Sequence, residues 1–245
     1  MSYGKYGAAL AVVAALCLSA FGAASASALP LSPEHCITGA GTGTGPFPDS
    51  KCWERSPGGA WEWARFENTG IVIEPNPVAM SSVIGGVKFQ VSCTGVEGGG
   101  EMTAAGEEEV HGSGIVLTYI GCTVAEPAGK GCEVRAGTEV NGKLKTKSLK
   151  SVTTRPEAEK YRSKYSPTTG STLMSIEVNG CSSETLNGTK ELTGSATSVS
   201  SNGRLQEFTK TSGSELKLAG QALTLVGSNE LKSSSAEGGA IRVAP

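Results

Sequence analysis

The cysteines constrain what this chain can fold into more than any other feature. Seven are present, and Cys17 lies within an N-terminal segment, residues 1–28, that reads as a secretory signal peptide. Lys5 supplies a positive start, "YGAALAVVAALCLSAFGAA" a short apolar stretch, and Ala26-Ser27-Ala28 a small-x-small cleavage site. The apolar run is too short and too rich in Ala and Gly for a membrane span of about 20 residues. No other segment is apolar enough to cross a bilayer. Leu16 stands where a lipid-anchored Cys17 would need a small residue.

Cleavage leaves Cys36, Cys52, Cys93, Cys122, Cys132 and Cys181. An even number in an exported chain predicts disulfides. Zinc requires tight pairs such as C-x2-C, usually with His, and no two of these cysteines stand that close. A C-x-x-C redox motif is absent as well. The expectation is therefore no metal and no cofactor. The stretch "GCTVAEPAGKGCEV" reads as a hairpin stapled between Cys122 and Cys132. The surroundings of Cys93 ("FQVSCTG") and Cys181 ("IEVNGCSS") resemble one another and suggest two related strand-turn-strand units. The expected connectivity is Cys36–Cys52, Cys122–Cys132 and Cys93–Cys181, one of the 15 ways six cysteines can pair.

The staples matter because core material is thin. Only 38% of the chain is hydrophobic and 5% aromatic, against 34 glycines. After cleavage about 217 residues remain, enough for one large all-β domain or two small ones. Alternation dominates and long helical periodicity is missing. "VKFQVSC" puts Val87, Phe89, Val91 and Cys93 on one face, a half-buried strand. "GIVLTYIGC" is apolar on both faces and reads as a central strand. "LMSIEVNGC" turns Met174, Ile176 and Val178 inward, with a bulge at Gly180 needed to bring Cys181 in as well. Further strands are predicted near 71–75, 133–145, 149–154, 189–199, 205–210, 214–219, 222–226 and 240–244. Turn signals stand at Asn141-Gly142, Asn187-Gly188, Ser212-Gly213, Ala219-Gly220 and Gly238-Gly239. A short helix is predicted in "RPEAEKYRSKY", which has Pro156 near its start, acids early and bases late. Residues 29–70 differ from the rest. They are rich in Gly and Pro, hold Trp53, Trp61 and Trp63, and read as a loop-rich subdomain closed by Cys36–Cys52 on a β domain spanning 71–245. The predicted fold class is all-β: an antiparallel sandwich or barrel-like fold, stapled by disulfides.

The chemistry is sparse. His35 and His111 are the two histidines and Asp49 the single aspartate, so a Ser-His-Asp triad has little to draw on. No G-x-S-x-G elbow, H-E-x-x-H or calcium loop is present. The glutamates lie mostly in exposed-looking runs, which leaves a hydrolase as the least favoured class. No catalytic residue is predicted, and the chain is read as a non-enzyme. Net charge is −2, the wrong sign for a nucleic-acid partner. Residues 143–164 nonetheless carry eight Lys or Arg, read as a solvated surface or as a basic face for anionic polymers. Trp61 and Trp63 are two apart and share a face if they lie on a strand. With Trp53 they are the candidate ligand platform, either for a sugar ring or as the local core. Asn187-Gly188-Thr189 matches a glycosylation sequon, although the same residues serve as a turn.

The order "FPDSKCWERSPGGAWEW", then "VSCTG", then "LTYIGCTV" with a second cysteine ten on, then "VNGCS", resembles a recurring group of uncharacterised secreted cysteine-containing β proteins of soil actinobacteria. The resemblance covers most of the mature chain in layout, through short motifs. It implies a β fold and a cell-envelope or extracellular home, and it carries no activity or site residues. The expectation is an exported protein with a structural or interaction role, whose partner is an envelope polysaccharide or another envelope protein.

Overall fold

The structure is a computed structural model. It describes residues 30–39, 45–106, 108–128, 131–157, 160–210, 213–235 and 238–244. The predicted signal peptide and Ser212 of one turn signal lie outside the described residues. The strands in chain order are β1 (Ser32–Thr38), β2 (Trp61–Arg65), β3 (Asn68–Glu74), β4 (Val78–Ile84), β5 (Val87–Cys93), β6 (Gly95–Ala104), β7 (Glu109–Ile120), β8 (Thr123–Glu126), β9 (Glu133–Arg135) and β10 (Leu144–Lys145). There follow β11 (Leu149–Glu157), β12 (Lys160–Pro167), β13 (Thr172–Asn179), β14 (Gly188–Thr193), β15 (Ala196–Ser200), β16 (Leu205–Phe208), β17 (Lys217–Leu218), β18 (Gln221–Ala222), β19 (Thr224–Ser233) and β20 (Ile241–Ala244). The fold is all-β, with one short 3-10 turn among the described residues, at Glu184–Leu186.

Eight strands close an antiparallel barrel in the order β16-β15-β12-β11-β7-β6-β3-β19, sealed where Leu205–Phe208 pair with Glu230–Gly227. Closure leaves none of these strands a free run of backbone donors at the seam. β19 is long enough to serve two structures. Its second half pairs β3, and its first half continues past the prolines at 75 and 77 to pair β4, from which β5 and β8 extend the sheet. A separate five-stranded sheet, β18-β17-β14-β13-β9, covers this extension. Ser82 Oγ donates to the Ala222 carbonyl between the two layers at 2.9 Å. Barrel and sandwich share one apolar core that runs from Ile71 and Ile115 through Phe89 and Val91 to Met174, Ile176 and Val178. The alternation in "VKFQVSC" and "MSIEVN" is reproduced in the burial of β5 and β13, with Val87 half-buried at the strand start and Leu173 buried beside Met174.

The barrel accounts for much of the Ser and Thr content. An eight-stranded barrel is just wide enough for side chains to fill it. Here the filling includes Ser151, Thr153, Ser163, Tyr165, Ser198, Gln206 and Asn229, all buried. Thr153 and Ser163 share a hydrogen bond of 2.7 Å, Gln206 Nε2 donates to Ser163 Oγ, and the Tyr165 hydroxyl donates to Gln206 Oε1. These pairings offset the cost of burying Thr153, Ser163, Tyr165 and Gln206. Outward residues of β12 are exposed cations, Lys160, Arg162 and Lys164, unlike the apolar band of a membrane barrel.

The predicted helix over 155–165 is instead the hairpin of β11 and β12. What looked like a helix with early acids and late bases is a cross-strand pair, Glu157 opposite Lys160 and in ionic contact with it. Pro156 sits where the β11–β12 register shifts, a place at which a sheet accepts proline. The predicted strand 133–145 is broken by the turn at Asn141-Gly142, and 189–199 is broken at Gly194 and Ser195. Ala219 and Gly220, both at positive φ, make a two-residue hairpin between β17 and β18.

All six described cysteines are bonded. Cys36–Cys52 joins as expected, whereas the other two pairings are exchanged to Cys93–Cys122 and Cys132–Cys181. The reason is register. β5 pairs β8 with Ser92 opposite Thr123, which sets Cys93 beside Cys122. β9 pairs β13 with Glu133 opposite Asn179, which sets Cys132 beside Cys181. Cys122 precedes β8 of the large sheet and Cys132 precedes β9 of the five-stranded sheet, so the two do not staple a hairpin. The likeness of "FQVSC" to "IEVNGC" has a structural counterpart: Cys93 ends β5 and Cys181 follows β13 by two residues, and each bonds to the cysteine just before a short antiparallel partner, β8 or β9. Equivalent positions in two units explain why Cys93 and Cys181 are not partners of one another. Gly180 takes a φ of 72° and Cys181 is buried, so the turn at Gly180 brings that thiol inward.

Candidate functional site

The most elaborate surface chemistry among the described residues lies where the N-terminal segment meets the C-terminal strand. β1 is the centre of a three-stranded sheet, β2-β1-β20, whose register sets Cys36 opposite Trp63 and Glu34 opposite both Arg65 and Arg242. In-register partners share a face, so Glu34, Cys36, Trp61, Trp63, Arg65 and Arg242 point to one side. The other side carries Pro33, Ile241 and Val243, and the last two join the main core. The segment expected to be loop-rich therefore contains β1 and β2, and residue 70 falls inside β3.

The loop carrying Phe47 and Cys52 folds over the polar-aromatic face. Phe47 exchanges backbone hydrogen bonds with Trp61 at 3.1 Å each, and Cys36–Cys52 fastens the loop down. Phe47, Cys36, Cys52 and Ala240 make a small core, with Trp61 and Trp63 packed against it. Arginine and tryptophan then alternate outward. The Arg242 guanidinium lies 4.4 Å from the centre of the Trp63 ring, and that of Arg204 lies 5.7 Å from Trp63 and 4.5 Å from Trp53. All fall within the roughly 6 Å over which a cation is attracted to an aromatic face.

Each cation is also held by a carboxylate. Arg242 donates to Glu34 Oε2 at 2.6 and 2.7 Å, and Arg65 approaches Glu34 Oε1 at 3.7 Å. Arg204, only 6% exposed, donates to Glu230 Oε1 of β19 at 2.9 Å. Burial pulls the Arg204 guanidinium below its ordinary pKa, and Arg242 acts in the same direction. Glu230 and Asp49 oppose that shift. Since arginine stays charged across the accessible pH range, the consequence is a fixed buried cation that the Trp53 ring covers.

The three tryptophans of the predicted platform do not act alike. Trp61 and Trp63 are half-buried in the local core, and Trp63 carries two arginines. Trp53 is 57% exposed, with Arg204 on one side. It lines a shallow depression of about 300 Å3 together with Pro48, Asp49, Lys51 and Glu54. Sequence reasoning named Trp53 but missed Arg204 and Arg242, which lie far along the chain and outside any aromatic motif. By contrast, the enclosed apolar space between barrel and sandwich, lined by Leu117, Tyr119, Met174 and Phe208, measures about 20 Å3 and has room for no ligand larger than a water.

His35 lies on β1 with its ring 5.1 Å from that of Phe66, and His111 lies exposed on β7, 2.8 Å from Glu109. Among the described residues no group of three or more His, Cys, Asp or Glu side chains could hold a metal. The basic stretch 143–164 is interleaved with acids: Lys145 meets Glu139, Lys160 meets Glu157 and Lys164 meets Glu215. Asn187 of the sequon spends its amide on Cys181, accepting from the backbone N–H and donating to the carbonyl at 2.9 Å each. Among the described residues no helix is long and apolar enough to cross a membrane. The chain matches no protein-family model, no curated protein and no solved structure.

Proposed function

We propose that this protein is exported and acts outside the cytoplasm by binding, as a structural or interaction component of the cell envelope or medium, without turnover. The observation that carries the reading is the pairing of all six described cysteines. Disulfides persist in oxidising compartments and are rare where thiols are kept reduced. On the chain-entropy argument, links spanning 16, 29 and 49 residues contribute about 3–4 kcal/mol each. That is a large share of a typical net stability of about 5–15 kcal/mol. The leader over residues 1–28 supplies the export route.

The test has two arms. Expression of the full chain with fractionation should find the mature protein beginning after Ala28, outside the membrane, and retained by an envelope fraction. A panel of ester, glycoside and peptide substrates should show no turnover. Turnover that disappears on His111→Ala would replace this reading with an enzyme.

Glycan binding is the second reading, favoured by the exposure of Trp53 on a braced loop. Trp61 and Trp63 contribute to it as support for that loop.

A further inference from the structure

Trp53 is the one tryptophan with a largely open ring, and its surroundings restrict what could lie on it. A tryptophan 57% exposed leaves much of a large apolar surface in water, the commonest composition of a binding hot spot when it is rigidly held. Here the bracing is unusual. The neighbouring residue, Cys52, is bonded to Cys36, and the ring rests on a guanidinium that is itself fixed by Glu230. Little side-chain freedom remains to be lost on binding, which is where much of the cost of association lies.

Charge narrows the ligand class. Asp49 and Glu54 stand at the rim of the depression with Lys51. Two carboxylates beside the ring disfavour an anionic polymer. Asp49 and Glu54 would attract a cation, but Lys51 beside them and Arg204 on the ring repel one. The attraction of a cation to an indole comes from the electron density on its faces. Arg204 already draws on that density from beneath. A neutral ring with apolar C–H groups on one face and hydroxyls at its edge meets neither objection. Its C–H face covers the indole, and its hydroxyls donate to the carboxylates. The Oδ1 atom of Asp49 already accepts the Lys51 N–H at 2.9 Å, which fixes that carboxylate in orientation. The depression, about 300 Å3, is at the small end of ligand sites.

We propose that the open face of Trp53, rimmed by Asp49 and Glu54 and braced by Arg204, is a subsite for a neutral pyranose ring of an envelope or extracellular polysaccharide. This rests on the glycan-binding reading and assigns it to one residue and one ligand class.

The experiment uses the full mature chain labelled at its indole nitrogens. The three tryptophans give three indole resonances, and Trp53→Phe assigns one of them. The probes are neutral oligosaccharides (β-glucan, mannan and galactan hexasaccharides), with oligogalacturonate as the anionic and chitosan oligomers as the cationic control. At least one neutral probe should shift the Trp53 resonance saturably and leave those of Trp61 and Trp63 little moved. Trp53→Ala should weaken that probe about tenfold, while Trp53→Phe retains part of the affinity. Because Trp53→Ala also uncovers Arg204, Asp49→Asn and Glu54→Gln provide variants that leave the stacked pair intact. Each should weaken binding several-fold.

Failure to shift Trp53 with any neutral probe, or a preference for either charged control, overturns the proposal. Retention of wild type and Trp53→Ala alike on an envelope fraction overturns the subsite while leaving the interaction reading intact. Retention of neither overturns both.

Discussion

The guanidinium of Arg204 lies 4.5 Å from the centre of the Trp53 ring, with the two residues separated by most of the chain. Arg204 sits just before β16, the strand that seals the barrel, while Trp53 sits on the loop fastened by Cys36–Cys52. The contact therefore ties the N-terminal loop to the barrel seam. A double-mutant cycle with Trp53→Ala and Arg204→Met, read by urea unfolding, should give a coupling of about 1 kcal/mol. Arg204→Ala alone should cost about 3 kcal/mol, because it also strips Glu230 of its partner in a mostly buried setting. A coupling near zero would make the stacking incidental.

The disulfide register is open to a direct check. Peptide mapping of unreduced protein should recover Cys93 linked to Cys122 and Cys132 linked to Cys181. A Cys93→Ser/Cys122→Ser protein should lose about 3–4 kcal/mol, less whatever strain the native link carries. Recovery of a Cys122–Cys132 peptide would show that the short segment between them is a hairpin after all.

Alkali should destabilise the protein through its buried phenols. Burial pushes Tyr119 up to about 12, and Tyr165 is raised further for the same reason. Both phenols are neutral in the folded and unfolded chain below pH 10. Above it the unfolded chain ionises first, so stability is lost as pH rises from about 10 towards 12, by about 3 kcal/mol for Tyr119 alone. Tyrosinate absorbance should rise together with loss of the β signal in circular dichroism. Tyr119→Phe should shift the alkaline midpoint upward. Titration of all tyrosines near pH 10 in the folded state would contradict the assignment.

The triple glycine of β6 should tolerate no side chain. A Cβ on Gly98 would sit 2.1 Å from the Val116 carbonyl oxygen, and one on Gly99 would sit 2.6 Å from that of Ile71. Gly98→Ala must part β6 from β7 and should cost about 3 kcal/mol. Gly114 has open space around its Cα and a φ of 59°, so Gly114→Ala should cost only the backbone term of about 1–2 kcal/mol. Equal melting shifts for the two variants would refute the close approach.

Local pattern was enough for several elements. Alternation in "VKFQVSC" and "LMSIEVN" placed β5 and β13 and chose their buried faces, because a half-buried strand leaves a period of two that no partner needs to supply. The run "GIVLTYI", apolar on both faces, marked β7 as a strand with neighbours on both sides, and it lies between β11 and β6. The Ala219-Gly220 turn was legible from its glycine, since Gly220 takes a positive φ that suits glycine, whereas Ala219 adopts one despite its Cβ. The hairpin of β11 and β12 was misread because Pro156, the early acids and the late bases fit a helix start and its dipole, and only a cross-strand partner shows Glu157 and Lys160 to be an ion pair across a turn. β6, with its glycines, offered no alternation to read.

The chain by itself determined a β architecture and six cysteines bound to pair, since strand periodicity and cysteine count can be read from the residues in order. Only the tertiary structure decided which cysteines pair, that the large sheet closes on itself, and that Arg204 and Arg242 meet Trp53 and Trp63. Those outcomes depend on register between strands distant in sequence. The free energy that selects a register is collected across the sheet, from burial and backbone pairing summed over many strands, and no single segment carries it.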